Sequence, residues 1–243
     1  MRIRLHFSKT SAMRYTGHLD LHRTWERTFR RARLPLAYTQ GFNPHPRLNL
    51  AAALPLGFTS DAEMIDVWFD RELSLPEIEA ALTPALPPGI RVNAIEAVDQ
   101  KAPTLQTQVE AAEYLVTLLE QAPGLDQRIQ DLLDAGSLPR RRRDKDYDLR
   151  PLVFSLQALP PGADGLPRLR CVLSARESAT GRPEEVLDAL GVPFNSARSH
   201  RTRLFLRAPL DPAAAGDNAA GDSAAGDAAG VQTEEPPQDN ETD

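Results

Sequence analysis

Cysteine is nearly absent: 243 residues contain one, Cys171. An intrachain disulfide, a zinc ribbon and a cysteine-ligated iron–sulfur cluster are therefore excluded, and a reducing cytoplasm is the simplest compartment. Long apolar runs are also missing. Apolar content is 41% and mean hydropathy −0.39, and no stretch approaches the roughly 18–20 residues of a membrane span. The opening MRIRLHFSKT alternates like a strand and lacks the charged start and apolar block of a signal peptide. The signatures of familiar enzyme classes are absent too: there is no GxSxG elbow, no GxxxxGK, no HExxH and no GxGxxG. No nucleophile stands out, and Cys171, inside a predicted strand, reads as a small core residue.

Charge is present, but it is segregated. The chain carries 28 Lys+Arg and 34 Asp+Glu, net −6. Residues 209–243 hold nine acids and no base, so residues 1–208 carry 28 bases against 25 acids, net +3. Residues 1–50 alone have ten bases against Asp20 and Glu26, net +8. A whole-chain pI of 5.5 argues against a polyanion partner, and this local charge reverses that inference. The acidic stretch 211–230, DPAAAGDNAAGDSAAGDAAG, has no bulky apolar residue to offset the entropy of ordering it. Residues 209–243 are thus expected to be a disordered acidic tail.

The remainder gives one pattern twice. Residues 2–7 alternate as a strand, with Ile3, Leu5 and Phe7 on one side. Residues 18–33 place Leu21, Trp25, Thr28, Phe29 and Ala32 on one helical stripe. Strands follow at 48–54 and 64–69, then a helix at 75–86 with Ser74 as N-cap and Pro76 in its first turn, and a strand at 90–98. The second pass has a strand at 108–118, although 109–120 also tolerates a helix, then a helix at 125–133, strands at 149–159 and 166–174 joined by the turn PPGADG, helix at 183–190 and strand at 201–207. The order β-α-β-β-α-β twice predicts an α+β fold of two tandem ferredoxin-like domains, at 1–100 and 105–208.

Three segments could carry chemistry. The loop Tyr38–Arg47, YTQGFNPHPR, is far longer than its connection needs. Gly41 permits a turn that a Cβ would oppose, and Pro44 and Pro46 stiffen the backbone on either side of His45. Such a loop costs little to order on binding and offers Gln40, Phe42, Asn43 and His45. Before the first helix, Arg14, His18 and Asp20 flank its start; Asp20 suits the helix dipole as a cap, and a His18–Asp20 couple is the functional alternative. No metal site is expected, because His18 and His22 have no obvious third ligand. Along the helix, Arg23, Arg27, Arg30 and Arg31 fall at i, i+4, i+7 and i+8 with Glu26 the one nearby acid. An uncompensated Arg face favours phosphate, and Arg47 extends it. Arg140–Arg143 with Lys145 and Arg150 form a second, acid-interrupted cluster in a helix-to-strand loop, readable as a mobile contact for a nucleic-acid backbone or equally as a solvated loop.

His18-Leu19-Asp20, Arg30–Pro35, the GFNPHP of Gly41–Pro46, Pro55–Ser60 and the E-x-x-D of Glu63–Asp66 occur in one order over about 55 residues. In these elements the chain resembles the radical SAM-linked protein family, a domain of unknown function, with looser similarity at Tyr147–Leu152. Members of that family occur beside or fused to a radical SAM protein with a cobalamin-binding-like region, often near genes for an RNase E/G-type nuclease and ribosomal proteins. The resemblance implies a radical SAM protein as partner, which would carry the iron–sulfur cluster and S-adenosylmethionine; this chain itself is expected to hold no cofactor. The expectation is a cytoplasmic accessory RNA-binding protein, with no membrane role and no specific call for DNA. It would present an RNA or ribosome-related substrate through Arg14, Arg23, Arg27, Arg30, Arg31, Gln40, Phe42, Asn43, His45 and Arg47. Two alternatives remain open: a metal-independent endoribonuclease with His18 or His45 as general base, and a protein–protein adaptor of the radical SAM enzyme.

Overall fold

A computed structural model describes residues 1–207, which form one compact unit; the acidic tail expected at 209–243 lies outside the described residues. The elements are β1 (Arg2–Lys9), α1 (His18–Arg31), β2 (Leu48–Leu50), β3 (Thr59–Trp68), α2 (Leu75–Leu82), β4 (Ile90–Val98), α3 (Leu105–Gln108), β5 (Val109–Leu118), α4 (Leu125–Asp134), β6 (Pro139–Arg142), β7 (Lys145–Asp148), β8 (Val153–Leu159), β9 (Arg168–Arg176), β10 (Ala179–Thr180), α5 (Pro183–Ala189) and β11 (Ala197–Leu206).

The fold is mixed α+β around a large, mostly antiparallel sheet. Among the described residues nine strands share that sheet, while β6 and β7 pair only with each other. In the first half, β1 lies between β4 and β3, and β2 pairs with the far end of β3, so the order is β4-β1-β3-β2 with every neighbour antiparallel. The second half repeats it as β11-β5-β9-β8, again antiparallel. The halves join where β11 pairs in parallel with β3, His200 opposite Thr59 and Arg201 opposite Ser60.

The apolar stripe of α1 explains how the first half closes. Leu21, Trp25, Thr28 and Phe29 are buried, and Trp25 meets Phe7 edge-on and stacks on Phe29. Ile3, Leu5 and Phe7, all fully buried, share this core with Ile65, Val67 and Ile78. Helix α2 starts as its sequence indicated: Ser74 Oγ accepts from Glu77 N and the Glu77 carboxylate accepts from Ser74 N, a capping box. The second core is built on β5, β8 and β9 but recruits Ala51, Leu54, Phe58 and Met64 from the first half.

Three local expectations change. The strand expected at 48–54 ends at Leu50, and residues 51–58 leave the sheet to pack in the second core. The basic segment 140–145 is the β6–β7 hairpin rather than an open loop, with Arg143 and Asp144 both at positive φ, the geometry of a tight two-residue turn. Its arginines are engaged: Arg142 by Glu185, Arg140 by Asp188 and Arg141 by Asp144. Asp20 caps nothing; Gly17 is the N-cap of α1, and Asp20 lies 3.4 Å from Arg23.

Candidate functional site

The residues singled out from sequence fall at two ends of α1. At its C-terminal end, Leu36 bridges to Phe69 and Tyr38 to Pro46, so the loop 38–46 leaves and returns at one point. His45 N donates to Thr39 Oγ1 and Thr39 N to the His45 carbonyl, closing the loop on itself. Gly41 has φ 128°, which only glycine adopts readily. Gln40, Asn43 and His45 are exposed, and the Phe42 ring is fully so, at 106% of its reference area. Arg47 lies over the Trp68 ring at 4.8 Å, with Arg2 at the same distance from that ring. Arg27, Arg30 and Arg33 are exposed, and among the described residues none has a carboxylate partner. Arg31 is committed elsewhere, its guanidinium donating to the Ala85 carbonyl.

At the N-terminal end of α1, His18 faces a cavity of about 690 Å³ between the two halves. Helix α1 alone separates His18 from the loop end by roughly 20 Å, at 1.5 Å rise per residue. His18 and His45 are thus not brought together, and neither Asp20 nor any residue of the loop 38–46 lines the cavity. Arg14 is half-buried nearby; its carbonyl accepts from Lys9 Nζ and Gly57 N.

Beneath the cavity lies a buried charged network. Arg201, 1% exposed, donates to Glu63 at 2.9 Å, to the Ala53 carbonyl at 2.7 Å and to the Tyr114 hydroxyl at 3.1 Å, and its cation lies over the Tyr114 ring. Lys9 is buried beside it, its ammonium donating to the Phe58 carbonyl. Burial holds the Lys9 amine below its ordinary pKa, opposed by the Glu63 charge. Burial, aided by His22 and opposed by Glu63, likewise lowers the His18 imidazole. Burial raises the Tyr114 hydroxyl. On the opposite wall, burial raises the Glu184 carboxyl, whose Oε2 has no hydrogen-bond partner. A parallel network ties Arg2 and Arg4 to the fully buried Asp66 at 2.6 and 2.8 Å. The E-x-x-D element of the sequence is therefore a pair of buried carboxylates, each neutralising arginines from another strand.

Sequence reasoning missed Arg201, Tyr114 and Glu184. None carried a clear signal: Arg201 opens the predicted strand 201–207 on the same side as Arg203, opposite Leu204 and Leu206, where a charge reads as solvated. What the sequence could not give was the pairing of β11 with β3, which supplies Arg201 with its partner.

The described residues thus define an α+β protein whose two similar halves share one sheet and line an open cavity at their junction. The chain belongs to a bacterial family described as "Uncharacterized protein conserved in bacteria (DUF2344)", whose pattern matches residues 2–183. No curated protein sequence matches it. Among solved structures it is similar to a Cbf5-Nop10-Gar1 complex (12% identity, 83% of this chain and 48% of that one, TM-score 0.46) and to the archaeal box H/ACA sRNP Nop10-Cbf5 complex (11%, 84% and 48%, 0.41). A third is an H/ACA RNP bound to a substrate RNA containing 2'-deoxyuridine (10%, 76% and 43%, 0.38). The chain spans about half the length of the solved chains it matches, and likeness at this level assigns no activity.

Proposed function

We propose that this protein is an accessory RNA-binding protein that presents single-stranded RNA to a separate radical SAM enzyme. Each half is read as a ferredoxin-like unit, supported by the twice-repeated order in which the first strand lies between the fourth and third and the second pairs with the third. The observation that carries the binding reading is Phe42: a fully exposed aromatic on a self-closed, proline-stiffened loop, with Arg27, Arg30, Arg33 and Arg47 at or near the same end of α1. An exposed ring normally has no reason to be held out on an ordered loop, whereas base stacking on an aromatic beside a basic track is how single strands are bound without strict sequence preference. The enzyme partner rests on the sequence resemblance alone.

Affinity for a short single-stranded RNA, titrated against salt, tests this. Charge reversal of Arg27, Arg30 and Arg33 is expected to remove most binding and flatten the log–log salt slope by about 0.7 per lost phosphate contact. Phe42→Ala should weaken binding by about 1–3 kcal/mol while leaving the slope unchanged. An unchanged slope in the triple variant would refute this surface.

A further inference from the structure

The loop end of α1 leaves the junction cavity unexplained. Its volume of about 690 Å³ falls in the range of small-molecule sites. Its lining is apolar at Leu54, Leu56 and Phe194, with small residues from Ala51 to Ala53 that let a ligand approach the backbone. The Phe194 ring is 44% exposed and stacks at 24° and 6.0 Å on Phe58, which covers one face of it. The other face is what a ligand in the cavity would meet.

The polar groups divide into two kinds. Arg142 and Arg201 line the cavity but are already neutralised by Glu185 and Glu63. Arg182, His18 and Gln106 also line it, and among the described residues their side chains have no protein hydrogen bond or ion pair. Glu177 and Glu184 line it as well; Glu184 Oε2 is buried without a partner, out of a ligand's reach, and Arg182 is close enough to Glu184 to oppose the rise of its pKa. A half-covered aromatic face, a guanidinium without an ion pair, and an imidazole and an amide without partners match a flat, hydrogen-bonding ring that bears a negative group.

We propose that this cavity binds one nucleotide, its base stacked on Phe194, its edge read by Gln106 and His18, and its phosphate held by Arg182. The inference stands apart from the loop-end reading, because the two sites lie at opposite ends of α1. The nucleotide is either free or one unit of an RNA strand, and the experiment distinguishes them.

Adenosine 5'-monophosphate and a ten-nucleotide single-stranded RNA would be titrated by calorimetry and by chemical-shift perturbation into the full chain and three variants. Phe194→Leu keeps an apolar cover over Phe58 but removes the stacking face, Arg182→Glu reverses the free charge, and Phe42→Ala disables the loop end only. Melting temperatures within a few degrees of the parent confirm that each variant is folded. If the nucleotide is free, the monophosphate binds and both cavity variants weaken it about tenfold or more, whereas Phe42→Ala does not. If it is part of a strand, only the RNA binds, and the cavity variants weaken it independently of Phe42→Ala. The proposal is overturned if neither probe binds, or if binding is insensitive to Phe194→Leu and Arg182→Glu. RNA binding lost on Phe42→Ala but not in the cavity variants would sink this inference and leave the loop-end reading standing.

Discussion

A carboxylate inside a protein is a liability unless something neutralises it, and the junction of this molecule is built on that balance. Glu63 is 2% exposed and faces Arg201 at 1%, with Lys9 close enough to feel both charges. Glu63→Gln keeps the shape and removes the anion, leaving two buried cations uncompensated. The expected cost is about 3–5 kcal/mol in denaturant unfolding, the range for breaking one partner of a buried pair. Adding Arg201→Met to the same chain should recover part of it, because the unpaired charge then goes too. Equal losses in the single and double variants would show that the pair is not the reason for the cost. His18 gives a pH signature in the same place. Burial first, then His22 and Arg201, lower its pKa against the opposing pull of Glu63. The folded chain therefore binds fewer protons at this site than the unfolded chain. Its contribution is fully present above the unfolded pKa near 6.5 and is lost as pH falls through the lower folded value. His18→Gln should consequently lose less stability than the parent between pH 7.5 and 5.5; an identical drop in both would remove His18 from the account.

At the scale of elements, local physics was legible where one residue pattern decides the outcome. The stripe of Leu21, Trp25, Thr28 and Phe29 located α1, and Ser74 with Pro76 located the start of α2, because periodicity and capping are properties of neighbours in sequence. The hairpin turn at PPGADG joins β8 to β9 as expected. The basic run at 140–145 was not legible. Four consecutive arginines look solvated in sequence, yet Arg142 is drawn to Glu185, 43 residues on, at 2.5 Å. Burial first, then Glu185, pushes the nearby Tyr147 hydroxyl up to about 12, with Arg142 opposing the rise. The same limit hid the meaning of Arg2 and Arg4. Alternation put them opposite the apolar side of β1, but only the register Arg4 opposite Asp66 explains why that other side is buried as well. Of the candidate site, the exposed loop and the exposure of Arg27 and Arg30 could be read because they depend on residue type and stiffness alone; the partners of Arg23 and Arg31, Asp20 and the Ala85 carbonyl, take those two out of the expected uncompensated face. The cavity could not, since it draws on α1, β5, α5, β11 and the 51–56 segment at once.

The whole molecule raises the question of whether its two similar halves unfold together. The parallel pairing of β11 with β3 is short, two residue pairs, but it is reinforced on both sides. His200 bonds Thr59 at 2.8 Å and Asp61 at 3.0 Å, and Arg201 reaches Glu63 and Ala53. More decisive is the segment 51–58, which belongs to the first half in sequence and to the second in packing: Leu54 and Phe58 are 4% and 1% exposed, and both lie in the core of the second half. Opening either half would therefore expose apolar surface of the other and strand the Arg201–Glu63 pair. Both tryptophans, Trp25 and Trp68, lie in the first half, so fluorescence reports that half while far-UV circular dichroism reports both. Urea unfolding of the full chain is expected to give the same midpoint by the two probes, the signature of one cooperative transition. A fluorescence midpoint displaced from the dichroism midpoint would mean that one half unfolds while the other stays folded, and that the shared segment 51–58 and the Arg201–Glu63 pair do not couple them.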